Sequence, residues 1–127
     1  MQQKHQYEYA IVRVVPVVER EEFVNAGVII YCKKKKFIQM KFHLCEAKIL
    51  TLMPTVDLEE IHKNLEAFRI IAAGEKVGGP IASLDQAERF RWLTAVRSAS
   101  IQTSRPHPGI SDDLEKTFNT LFSELVG

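Results

Sequence analysis

An α+β domain spanning residues 1–127 is the fold class this sequence predicts: a mainly antiparallel sheet of about four strands, with three to four helices packed on it. Three observations carry that expectation. The first third of the chain is a series of β-branched and aromatic segments separated by short polar links. Amphipathic helical stretches with distinct start and stop signals come next. An alternating segment then returns before a last helical stripe. A chain of 127 residues buries roughly two thirds of its unfolded surface, enough for a single core.

The segment "YEYAIVRVVPVV", Tyr7 to Val18, is apolar on both alternating faces, as expected of a central strand covered on both sides. Arg13 is its polar exception. Pro16 has no N–H for a strand ladder, so the strand should end, bulge or reach a sheet edge there. After "EREEF", the segment "VNAGVIIYC" is a second apolar strand, in which Gly27 points to a bulge or to close approach of another backbone. Four lysines, Lys33 to Lys36, separate it from "FIQMKFHL". There Ile38, Met40, Phe42 and Leu44 alternate with Gln39, Lys41 and His43, which gives a strand with one wet face. Two such strands across a short charged link form an antiparallel hairpin.

"CEAKILTLMP" predicts a short helix stopped by Pro54. The next helix is defined at both ends: Asp57 and Glu60 form a capping box, Val56 can staple onto Ile61, and Gly74 closes the C-terminus. Leu58, Ile61, Leu65, Phe68, Ile71 and Ala72 supply its apolar stripe. "GEKVGGPIASLD" has the composition of a surface loop. A third helix, about Ser83 to Ala95, opens at a Ser83/Gln86 or an Asp85/Glu88 capping box. "SASIQTS" alternates Ala99, Ile101 and Thr103 with Ser98, Ser100, Gln102 and Ser104, a strand with a small polar face. "RPHPG" breaks that strand, and Asp112 with Glu115 caps a last helix striped by Leu114, Phe118, Leu121, Phe122 and Leu125.

Composition excludes more than it identifies. A formal net charge of +1 exerts no general pull toward nucleic acid or anionic lipid. Cys32 and Cys45, without CxxC or Cys/His spacing, argue against a zinc site or a disulfide scaffold and favour a reducing cytoplasm. "MQQKHQYEY" lacks the apolar centre of a signal peptide, and the longest apolar run, Ala26 to Cys32, is too short for a bilayer. No metal and no cofactor is expected, because His5, His43 and His62 are scattered over a tail, a strand and a helix. "GEKVGGP" lacks the Gly-Lys-Ser/Thr ending and the preceding strand of a phosphate loop. The lysine run could contact phosphates, but no regular interleaving of aromatics supports a single-strand platform, and a solvated hairpin tip explains it.

Chemistry concentrates in two places. In "AERFRWL", Arg89 and Trp92 stand three apart and can share a helix face as a cation–π pair or partner hot spot. Core packing of the aromatics with solvated arginines is the plainer account. In "VRSASIQTSRPHPGISDD", Arg97, Gln102, Ser104 and His107 precede the final helix, whose positive end could complete an anion or carboxylate receptor. The plainer account there is capping and buried hydrogen bonding. These residues, with Arg13 and Asn25, are the candidate binding set. A rival reading is a small hydrolase or phosphate-handling enzyme, with His107 as acid–base and Glu22 as its orienting carboxylate.

Together, "YEYAIVRVVPVVEREEFVNAGVIIYC", "QAERFRWL" and "RSASIQTSRPHPG" resemble the bacterial domain of unknown function 3037 family. Glu22, Phe23, Asn25 and Gly27 fall on its "EEFVNVGVIL" signature. Arg89, Phe90, Trp92, Arg97, Ser98, Gln102, Ser104, His107 and Gly109 fall on its "RFxWLxxxRSxxIQxSxxHxG" pattern. Val96 stands where that family often has proline. The resemblance implies an uncharacterised, small, bacterial cytoplasmic protein, a non-enzymatic interaction module or regulator, with a HipA-like kinase as partner.

Overall fold

In the computed structural model, which describes residues 4–95, 97 and 99–126, the chain is α+β, built on a five-stranded sheet in which each pairing is antiparallel. β1 (His5–Val14), β2 (Val24–Cys32) and β3 (Phe37–Phe42) lie side by side as a meander. β1 is central. Its other edge carries two short strands laid end to end, β4 (Ile101–Thr103) against Val12–Val14 and β5 (His107–Ser111) against His5–Tyr9. β5 replaces the break expected at "RPHPG". Pro106 and Pro108 are tolerated because this lane has a neighbour on one side only.

The sheet is buried on both faces, as the apolar character of β1 and β2 requires. On one face Val12, Val14, Ile29, Tyr31 and Met40 pack against helices α1 (Glu46–Leu52), α2 (Leu58–Ala73) and α3 (Gln86–Leu93). Leu65 and Leu93 are fully buried there. On the other face Val28 and Ile30 meet Phe118 and Val126 of α4 (Leu114–Val126), with Tyr7 and Tyr9 at the margin.

Helix ends obey local chemistry. Asp57 accepts from Glu60 N at 3.1 Å and Gly74 closes α2 at φ 72°, the left-handed conformation that glycine adopts without a Cβ penalty. Of the two boxes available to α3, Asp85 is the cap, accepting from Glu88 N at 2.9 Å. At α4 the cap is Asp113, not Asp112. Its carboxylate accepts from Lys116 N at 3.1 Å, and its own N–H donates to Ser111 Oγ at 3.0 Å.

An irregularity in the β1–β2 ladder sets the position of Asn25. Val12 pairs with Gly27 and Arg13 with Asn25, so Ala26 is the extra residue of a β-bulge. The bulge moves Asn25 into the same lateral row as Arg13. Beside it, β3 approaches β2 so closely that a Cβ on Gly27 would sit 2.7 Å from the Lys41 carbonyl oxygen. Gly27→Ala should therefore cost about 1–3 kcal/mol through overpacking against backbone, read as a lower urea midpoint at unchanged slope.

Candidate functional site

Register brings three of the candidate residues together. Arg13 on β1 lies between Asn25 on β2 and Gln102 on β4. Because Val12, Val14 and Ile101 face the α1–α3 core, alternation sends this polar row to the face that α4 covers. α4 stops just short of it: Asn25 Nδ2 donates to the carbonyl of Leu125, in the last turn of the helix, at 3.2 Å. Beyond that end the row opens into a cavity of about 390 Å³ lined by Arg13, Val15, Val18, Glu21, Phe23, Arg97 and Gln102.

Both arginines in this cavity are held against aromatic rings. The Arg13 guanidinium carbon is 4.2 Å from the Phe23 ring centroid. That of Arg97 is 4.7 Å from Trp92 and 5.1 Å from Phe68, and its Nη2 donates to the Trp92 carbonyl. Each cation–π contact contributes about 0.5–2 kcal/mol and fixes a long side chain in one orientation. Neither guanidinium has an acidic partner among the described residues. Arg13 Nε is buried with no acceptor among them, as is Asn25 Oδ1 with no donor. Burial lowers the Arg97 pKa from its ordinary value, and the guanidinium nonetheless stays protonated at neutral pH. Gln102 donates to the Ala99 carbonyl at 3.0 Å, and its amide oxygen is an acceptor with no donor among the described residues.

The rim carries one acid. Glu21 ends the short turn Val18–Arg20 in the left-handed conformation, φ 57°, where its N–H reaches the Val18 carbonyl. A non-glycine residue there stores about 1–2 kcal/mol. The adjacent Arg20 and Glu22 pair with each other at 2.6 Å.

The remaining candidates have other roles. Arg89 makes no cation–π contact with Trp92 among the described residues; Arg97 takes that place. Arg89 is drawn instead to the carbonyls of Leu84, at 2.8 Å, and Ala72, at 3.4 Å, and so ties the end of α2 to the entry of α3. Ser104 is buried and accepts from Ile11 N at 2.8 Å through Oγ, while its own N–H donates to the Ile11 carbonyl at 2.9 Å. It carries the pairing of β1 across the gap between β4 and β5. His107 is exposed, opposite Tyr9, with ring centroids 5.2 Å apart. Tyr9 and Arg13 are four residues apart on β1, roughly 13 Å, so His107 does not join the arginines. Glu22 precedes Val24, the partner of Val14, and lies still farther from His107; the two do not form an acid–base pair. The N-terminus of α4, next to Ser111 and therefore opposite His5, is roughly 26 Å from Arg13 along the strand. Its positive end does not serve the cavity. Val96 and Ser98 lie outside the described residues.

Sequence reasoning missed Val15, Val18, Glu21 and Phe23 as cavity walls. Phe23 had a signal, a large aromatic directly after two acidic residues, and it is 47% exposed. Another cavity, of about 600 Å³, lies at the opposite end of β1 between Tyr31, Glu8, Lys33 and Ile110. It is larger, but the unsatisfied buried donor of a fixed cation belongs to the smaller one. Among the described residues no cluster of three or more His, Cys, Asp or Glu is placed to hold a metal ion, and no helix is long and apolar enough to cross a membrane.

Against known proteins, the model of a family described as "Protein of unknown function (DUF3037)" matches residues 9–126. No curated protein and no solved structure matches the chain.

Removing Arg89 leaves the Leu84 and Ala72 carbonyls without their donor, so Arg89→Ala should lose about 1–3 kcal/mol in urea denaturation. His107→Ala removes an exposed ring and should stay within about 0.5 kcal/mol of the parent chain.

Proposed function

We propose that this chain, which belongs to the DUF3037 family of proteins of unknown function, is a non-enzymatic interaction module that receives an anionic group in the Arg13–Arg97 cavity. The observation that carries the reading is the pair of guanidiniums from separate segments lining one cavity, fixed on aromatic rings and without acidic partners among the described residues. Guanidinium is the side-chain group best suited to fork-like pairing with carboxylate or phosphate. Asn25 and Gln102 flank Arg13 in the same row, and Gln102 lines the cavity with it. The HipA-like kinase implied by the family resemblance is the macromolecule to which this reading assigns the anion. A bacterial cytoplasm fits the same reading, supported by two unpaired cysteines, Cys32 buried and Cys45 partly so.

The test is a nuclear magnetic resonance titration of the arginine side-chain N–H groups with acetate, sulfate and phosphate at low salt, where screening is weakest. Saturable shifts are expected at the Arg13 and Arg97 side chains and at the backbone amides of the lining residues Val15, Glu21 and Phe23, and the backbone shifts should vanish in a folded Arg13→Gln, Arg97→Gln double variant. Shifts that are absent in the parent chain, or that persist in the variant, would remove the reading.

A further inference from the structure

The walls of the cavity narrow the kind of anion. Arg13, Arg97 and Glu21 together leave one net positive charge at its lining. The neighbouring Arg20 and Glu22 cancel each other. Phosphate at neutral pH carries between one and two negative charges and would bring the second against the Glu21 carboxylate, whereas a carboxylate matches the lining charge for charge. Val15, Val18 and Phe23 form an apolar wall beside the guanidiniums, and Phe23 keeps 47% of its surface exposed. Val15 is already buried, but a bare inorganic ion would leave Phe23 and the half-buried Val18 uncovered, while an aliphatic or aromatic body attached to the carboxylate would bury them.

We propose that the cavity is a receptor for a singly charged carboxylate borne on an apolar body. The proposal rests on the anion-receiving role of the two arginines and specifies its ligand. The carboxylate lies between Arg13 and Arg97, and its body lies along Val15, Val18 and Phe23. Two sources share this chemistry, a free apolar acid and the C-terminus of a polypeptide ending in an apolar residue.

Four probes separate the outcomes in titrations of the full chain: phenylacetate, a tripeptide ending in leucine with a free carboxylate, the same tripeptide as its C-terminal amide, and inorganic phosphate. At least one carboxylate should bind about tenfold or more tightly than both the amide and phosphate, a difference of about 1.4 kcal/mol. Preference for phenylacetate identifies a free acid as the source, and preference for the tripeptide identifies a chain terminus; either supports the proposal. Phosphate binding more tightly than both carboxylates, or an amide equal to its acid, overturns it while the anion-receiving role stands. No response to any anion overturns both. Glu21→Gln, an exposed substitution that keeps the side-chain length, should shift the carboxylate-to-phosphate ratio toward phosphate several-fold. An unchanged ratio would show that Glu21 does not set the charge preference and would overturn the charge-matching argument.

Discussion

β1 is hydrogen-bonded along both edges, and the remaining elements take their positions from that constraint. Its backbone is covered by helices on both faces, so N–H and C=O groups left unpaired would have no water to turn to. β2 satisfies one edge from Glu8 to Val14. The other edge is satisfied in two instalments, with Ser104 bridging the gap by its own N–H and hydroxyl. A strand paired in this way cannot slip by one residue without exchanging its two buried faces. The one local change of register, the bulge at Ala26, is therefore held in place from both sides and sets which polar groups stand next to Arg13.

The guanidiniums of the cavity are ordered before any ligand arrives. Their rotamers are restricted by Phe23 on one side and by the Trp92–Phe68 pair, 6.2 Å apart, on the other. Most of the entropy that a free arginine loses on forming a forked contact has been surrendered during folding. The apolar walls lower the local dielectric, so each new charge-assisted hydrogen bond is stronger than its counterpart in water.

Elements whose signals are local were legible in the sequence. The bounds of α2 come from Asp57 and Gly74, since both caps act within one turn. The apolar runs of β1 and β2 marked a doubly covered sheet, and Arg13 was conspicuous as the charge among them. β5 was hidden because two prolines around His107 resemble a turn, and only the tertiary fact that this lane has one neighbour lets a strand start directly after Pro106 and contain Pro108. Asp113 displaced Asp112 because Ser111, anchored in β5, fixes the approach to α4. The spacing of Arg89 and Trp92 suggested a pair, but the carbonyls of Leu84, at the entry of α3, and Ala72, at the end of α2, competed for that guanidinium, and Arg97 took the place on Trp92. The Asn25–Arg13–Gln102 row depends on a bulge and on pairing across some ninety residues of sequence, information no local pattern carries.

The lane formed by β4 and β5 has a consequence for how copies of this chain meet in solution. It is a sheet margin, and exposed margins recruit further strands, the first step of fibrous aggregation. Here Pro106 and Pro108 each remove an amide donor from that margin, and β4 contributes only the segment Ile101–Thr103. An incoming strand would find too few consecutive donors to register against. The same prolines that disguise β5 in the sequence leave this border of the sheet unable to grow.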